Sequence, residues 1–366
     1  MLQSYLFPIS YAFLTFPIAA LLFTLPFLIV QYRRHGYINK VRAFMLYLFL
    51  LYLMNAFYLI LLPFPASRHN AAPTGGSLQL IPLNFVQDII SETQVKLTSF
   101  SSYLLLLKER ASLQVLFNVV LTVPFGIFLR YYFRTGWIRC IILSFSLSLF
   151  FEITQLTGIY GFYDHPYRLA DVDDLITNTL GGIIGFLFAE WISRLLPRMD
   201  RLDANLDKTT KRVTYTRRGI ALLIDLFLWV ILYTLFRVIG IPAAYFISTG
   251  LYFMLLPYVF KGRTIGKWLV RIHLTRSDGR LTLPSLIYRY GLLYWVLGQL
   301  SVFRMGTLHF EKLPSLLALP LYFLIFLVNL AFFVHLVSRI FKRDYQLFYE
   351  KWSRTSHEIT WPEKKV

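Results

Sequence analysis

Between Phe151 and Gly185 the chain reads FEITQLTGIYGFYDHPYRLADVDDLITNTLGGIIG, which sets Glu152, Gln155, Asp164, Arg168, Asp171, Asp173, Asp174 and Asn178 between two apolar runs. Each run is long enough to enter a bilayer. Ionisable and amide groups at that depth pair with one another or line a wet cavity, so they form a candidate functional site. A carboxylate such as Glu152 could exchange a proton or hold a cation, or it could serve as interhelical glue satisfied by Gln155, Asn178 or Arg168. Asp164, Asp171, Asp173 and Asp174 could offer oxygens to a hard divalent cation or attract the ammonium of a drug or lipid. Residues 171 to 174 also stand just ahead of a helix, where carboxylates cap free N–H groups and suit the positive end of the dipole. No metal site is assigned.

The elements that must position these groups follow from spacing. Asp171, Asp174, Asn178, Gly181, Gly182 and Gly185 recur at intervals of three and four and share one helix face, as do Glu152 and Gln155 on the preceding helix. Gly181 and Gly185 form a small-xxx-small strip, and the helix carrying Glu152 is the expected close neighbour.

The 366 residues are 57% hydrophobic, 18% aromatic and only 15% charged, with a mean hydropathy of +0.56. That composition excludes a soluble globule and implies a polytopic membrane protein. The net charge of +18 comes from short Lys and Arg clusters between apolar runs, which reports loop topology and not nucleic-acid binding. One cysteine, Cys140, excludes an intramolecular disulfide, and no Cys or His spacing matches a zinc site. No cofactor is expected, and no nucleophile with an adjacent base or phosphate-binding loop supports enzymatic chemistry.

Nine spans are expected, at 6–32, 43–62, 113–133, 138–159, 174–196, 219–240, 242–260, 285–303 and 315–340. The first has no basic region ahead of it and exceeds a signal core, so it is expected to be retained; Pro8, Pro17 and Pro26 would kink it. Basic clusters at Arg33 to Arg42, Arg130 to Arg139, Arg194 to Arg218, Lys261 to Arg280 and Arg339 to Lys365 place those loops in the cytoplasm. The N-terminus is then outside and the C-terminus cytoplasmic. The long outer loop, 63–112, opens on a turn-rich run; from Asn84 to Leu107 it fits either an interfacial helix or a plain lead into the third span. Residues 197–216 are polar and unpatterned and read as a linker between a membrane domain at 1–196 and another at 217–355, with a polar tail at 356–366. Trp268 to Arg276 alternates, Ser277, Asp278 and Gly279 suit a turn, and Arg280 to Leu283 could return, which predicts a small cytoplasmic β-hairpin.

Asn118 with Val123-Pro124-Phe125-Gly126, Glu152-Ile153-Thr154-Gln155, Arg168, Asp171-Val172-Asp173-Asp174, Asn178-Thr179 and Gly181 resemble the VanZ-like family over about 40–196. Its founding member is associated with resistance to the glycopeptide teicoplanin. Arg218, Ala221, Ile224 and Asp225, then Gly262, Thr264, Gly266 and Lys267, then Asp278-Gly279 and Arg289, resemble an RDD-family membrane domain over about 212–355. That family tends to close on a His-Asp pair near a final Thr; here Tyr349-Glu350 precede Thr355, which leaves the role of that second acid open.

The expected architecture is therefore an all-α polytopic membrane protein of two helical bundles, five spans plus four, in the bacterial cell membrane. One hypothesis gathers Asn118, Glu152, Gln155, Arg168, Asp171, Asp174 and Asn178 around a polar pocket open to the outer leaflet. There it would engage a cell-envelope lipid or a glycopeptide and alter drug susceptibility. A second, implied by the RDD resemblance, is an ion-coupled transporter in which Arg218, Asp225 and Arg289 form a relay that works with Glu152, with Arg218 or Arg289 paired to Asp225. A third is a membrane scaffold in which both polar sets are structural.

Overall fold

A backbone crossing hydrocarbon must satisfy its N–H and C=O groups internally, which favours helices. The computed structural model is mostly helical and describes residues 2–73, 76–93, 109–193, 199, 202, 211–298, 315–341 and 346–361. In order, the chain forms α1 (Leu2–His35), α2 (Lys40–Leu61), β1 (Leu78–Gln79), α3 (Asn84–Glu92), α4 (Arg110–Ile127), α5 (Trp137–Leu156) and the single turn α6 (Gly158–Gly161). Then follow β2 (Ala170–Asp171), α7 (Val172–Ile192), α8 (Tyr215–Val238), α9 (Ala244–Thr249), α10 (Leu256–Val259), α11 (Ile265–Leu269) and β3 (Ile272–Arg276). The last elements are α12 (Leu283–Tyr290), α13 (Ser315–Phe341), α14 (Phe348–Trp352) and β4 (Thr355–Ile359). Wider π turns continue α4 over Phe128–Tyr132, join α9 to α10 over Gly250–Leu255 and extend α12 over Gly291–Gly298.

Among the described residues six helical stretches are long and apolar enough to cross a membrane: Leu6–His35, Lys40–Leu61, Arg110–Tyr132, Trp137–Leu156, Val172–Ile192 and Tyr215–Val238. The chain is a helical membrane protein. Shorter apolar stretches, Ala244–Val259 and Phe323–Arg339, fall where the seventh and ninth spans were expected, and the eighth is described only as far as Gly298. The stretch from Asn84, expected as an interfacial helix or a lead into the third span, is helical to Glu92, and residues 94–108 lie outside the described residues, as does most of the linker at 197–216.

The chain divides into two compact units, one of residues 1–23 and 39–206, the other of residues 24–38 and 207–366. In the first unit α7 is packed between α4 and α5. A Cβ at Gly181 would collide with Val119 O, one at Gly185 with Val123 O, and one at Gly126 with Gly182 O. The backbones of α4 and α7 therefore meet with no side chain between them. This corrects the expectation that the strip at 181 and 185 faces the helix of Glu152. It faces α4, and Gly182, turned about 100° further round the helix, meets Ser144 of α5.

In the second unit, buried Arg217 spends its guanidinium on three carbonyls: Nε donates to Val270 O at 2.7 Å, Nη1 to Gly36 O at 2.8 Å and Nη2 to Arg271 O at 2.9 Å. Its Cζ lies 4.3 Å from the centre of the Tyr32 ring, so one cation ties the end of α1 to the start of the sheet. The alternation at 268–276 does yield a strand, but β3 pairs antiparallel with β4, Ile272 opposite Ile359 and Arg276 opposite Thr355. Arg280 to Leu283 form no strand; the turn closes through a single bridge from Arg276 to Gly279. Residues 356–359, expected in a polar tail, are thus half of the sheet.

Candidate functional site

The first candidate site lies in the first unit, where α5 presents Cys140, Ser144, Ser148 and Glu152, one turn apart and all buried, toward α7. Ser148 is the link from α5 to Asn178 that residue spacing alone did not single out. It accepts from Asn178 Nδ2 at 2.9 Å and donates to Asp174 O at 3.2 Å. From the other side, Thr122 of α4 donates to Asn178 O at 2.6 Å, and Asn118 Nδ2 reaches Asp174 Oδ1 at 2.5 Å. Both unforeseen hydroxyls sit four residues from a named group, Ser148 before Glu152 and Thr122 after Asn118, so helical spacing from the amides and acids was the available signal. Asn178 Oδ1 is buried and has no hydrogen-bond partner among the described residues.

The acids divide the work at the start of α7. Asp171 is its N-cap, accepting from Asp173 N at 2.8 Å, while Asp171 N donates to Glu152 Oε2 at 3.0 Å. Glu152 is only 7% exposed, and its partner is this backbone N–H, not the side chain of Gln155, Asn178 or Arg168. Asp173 caps a different helix. The start of α3 has no capping side chain of its own, and Asp173 accepts from Leu83 N at 2.6 Å and Phe85 N at 2.9 Å. Replacing Asp173 with Ala is expected to cost about 1–2 kcal/mol, read as a lower thermal midpoint with new protease cleavage near α3; Asp173→Asn should cost less.

Parallel pairing of β1 with β2, Leu78 opposite Ala170, holds the same segment in place. A polar cavity of about 40 Å³ opens between α3, α4 and α7, lined by Asp88, Gln114, Asn118, Asp171, Asp173, Asp174 and Thr177 among others, with no Lys or Arg among the described residues of its wall. Burial raises the Asp171 carboxyl above its usual value against the N-cap hydrogen bond, and the charges of Asp173 and Asp88 add to the rise.

Not all expected residues meet there. Glu152 stands behind the cavity, joined to it through Asp171. Gln155 Nε2 donates to Ile60 O at 3.0 Å and Arg168 Nη2 to Leu62 O at 2.5 Å, so these two fasten the end of α2 and do not line the space. The carbonyls exposed where α2 ends take those donors. Asp164 is held at the surface by His69 Nδ1 at 2.7 Å, which lowers its carboxyl below the usual value.

The second candidate set is in the other unit and is arranged differently from expectation. Asp225, 1% exposed, accepts from Tyr252 OH at 2.9 Å, Gly266 N at 2.7 Å and Thr264 Oγ1 at 2.5 Å, and Lys267 Nζ lies 3.9 Å away. Neither Arg218 nor Arg289 pairs with it. Both turn to Glu350: Arg218 Nη1 is 3.2 Å from each carboxylate oxygen and Arg289 Nη2 is 2.8 Å from Oε1. The reason is local. Asp225 is already filled by the Thr264 to Lys267 turn, where Gly266 leaves room because a Cβ would sit 2.8 Å from Asp225 Oδ1. Glu350 is carried to the arginines by α14, which the β3–β4 pairing anchors.

Helices of membrane length carrying a buried amide, hydroxyl and carboxylate network define a polytopic membrane protein with a polar site at one end of its first bundle. Residues 49–195, which hold every side chain of that network, match the model of the VanZ/LLP1 family. No curated protein and no solved structure matches the chain.

Proposed function

We propose that the VanZ-like part acts at the outer face of the bacterial cell membrane, taking a single cationic group of an envelope component or of a glycopeptide drug into the cavity beside Asp174. Through this contact it lowers susceptibility to glycopeptides. The observation that carries the reading is the wall itself, which holds four aspartates and, among the described residues, no basic one, inside the segment that matches VanZ/LLP1. The cavity's size limits the guest: about 40 Å³ is room for a few waters at most, since one needs roughly 10–15 Å³ of such space, so an ammonium enters and a whole lipoglycopeptide stays outside. The orientation, with an outer N-terminus and a cytoplasmic C-terminus, rests on the placement of Lys and Arg.

The test is teicoplanin susceptibility of cells with and without the chain, and with Asp174→Asn at matched expression. The inhibitory concentration should drop several-fold on deletion and on Asp174→Asn. Equal values in all strains would sink the proposal. Since the raised Asp171 holds its proton to higher pH, a cation must displace that proton, and uptake is expected to strengthen as pH rises through the Asp171 value.

A second reading, RDD-like ion-coupled transport through the other unit, is favoured by one observation: an acid, Asp225, and an amine, Lys267, both buried and 3.9 Å apart. Proton or sodium flux into vesicles that is lost on Asp225→Asn is the expected result, and no flux with the unaltered chain would exclude it.

A further inference from the structure

The second unit carries a groove of about 430 Å³ between α10 and α11, lined by Leu256, Phe260, Arg263, Thr264, Ile265 and Trp268. That volume falls within the roughly 300–1,000 Å³ of small-molecule sites. The turn joining the two helices is fixed before any guest arrives. Gly262, at a φ of +83°, donates to Pro257 O at 2.6 Å and accepts from Leu274 N of β3 at 2.9 Å, and a Cβ there would collide with Leu274 O. Trp268 is 51% exposed yet steadied, because Arg33 Cζ lies 4.3 Å from the centre of its ring and Nη1 donates to its carbonyl at 3.5 Å.

Almost all of the wall is apolar. Thr264 has its hydroxyl committed to Asp225 Oδ2 at 2.5 Å, so the guanidinium of Arg263 is the one charge among the described residues of the wall. Among the described residues it has neither an ion pair nor a side-chain hydrogen bond, and the same holds for Lys261, exposed two positions before it. Residues 226–277, which build the groove, and residues 1–87, which bring Arg33, contain no Asp or Glu. The exposed Glu358, which like Arg263 bears on His273, is not in the described wall and accepts from Thr275 Oγ1. The groove stands where the apolar stretch Ala244–Val259 ends, the depth at which a Trp ring and a long basic side chain suit the membrane–water boundary.

We propose that this groove binds one acidic phospholipid, its acyl chain lying along Phe260, Ile265 and Trp268 and its phosphodiester on Arg263, with Lys261 beside it. Wall and charge call for the same guest. A phosphate oxygen gives the guanidinium a charge-assisted hydrogen bond, and the chain covers apolar surface that water would otherwise wet. A free phosphate meets only the first need.

The experiment uses the full chain in phosphatidylcholine nanodiscs and follows tryptophan fluorescence as lipids with brominated chains are added. Trp268→Phe, which keeps a ring for Arg33, isolates the Trp268 part of the signal. Brominated phosphatidylglycerol should quench that part saturably, at roughly one tenth of the lipid fraction that brominated phosphatidylcholine needs, the worth of one hydrogen bond to a charged group. Unlabelled phosphatidylglycerol should reverse the quenching, and inorganic phosphate should not. Arg263→Gln should bring the two lipids level and leave the thermal midpoint in place, since that arginine holds no partner among the described residues. Equal quenching of Trp268 by the two lipids, or none by either, would overturn the proposal. So would an undiminished preference for phosphatidylglycerol in Arg263→Gln, or reversal by phosphate as complete as by the unlabelled lipid.

Discussion

Glu350→Gln is expected to destabilise the second unit by about 3–5 kcal/mol, the range for breaking a buried ion pair by removing one partner. Glu350 is 1% exposed and holds Arg218 and Arg289 at once. It also accepts from Leu347 N at 3.1 Å, a bond that the glutamine amide oxygen can keep, so the loss expected is that of the charge. With Gln in place, two guanidinium groups lose the carboxylate that lets them remain inside. A large drop in the melting midpoint of the detergent-solubilised chain, with early protease cleavage in residues 211–361, is the expected reading. A drop confined to a degree or two would show that the cluster is hydrated and contributes little. The pH dependence has a definite sign. Glu350 is depressed in the folded chain, so its stabilisation is complete well above the unfolded carboxylate value of about 4.3 and is lost as pH falls below it toward the folded value.

Gly185→Val should have the next largest effect, because nothing nearby can move out of its way. The added Cβ would meet Val123 O, a main-chain atom in the middle of α4, and a β-branched side chain has few rotamers with which to escape. The helices must separate, at about 1–3 kcal/mol or more for overpacking, and separation pulls Asn118 from Asp174 and Thr122 from Asn178. Both stability and the susceptibility phenotype should therefore fall together. Gly136→Ala is the control: a Cβ there meets nothing within 4 Å, and its midpoint should stay within the ±0.5 kcal/mol usual for surface changes. If Gly185→Val melted like Gly136→Ala, the close approach of α4 and α7 would be wrong.

Much of the first bundle was legible beforehand. Bilayer thickness sets a helix length, so composition and run length sufficed for its membrane-length helices. Helical periodicity likewise placed Asp174, Asn178 and the glycines on neighbouring parts of α7, and the caps at Asp171 followed from its position before an apolar run. Less legible was where each side chain spends its hydrogen bonds. Gln155 and Arg168 looked like pocket residues, yet the unmet carbonyls where α2 ends claim them.

What the sequence by itself determined, then, are local properties: which segments are helical, which face of each is polar, and that charge sits at depth and must be neutralised. Tertiary structure alone decided the partners. Gly181 and Gly185 met α4 and not α5, β3 paired with a strand some eighty positions away and not with the residues after its turn, and Arg218 and Arg289 found Glu350 and not Asp225. The physical reason is the same in each case. A periodicity fixes the direction in which a group points within its own element, whereas its partner depends on which distant element the packing brings within about 3 Å, and spacing along one chain holds no record of that.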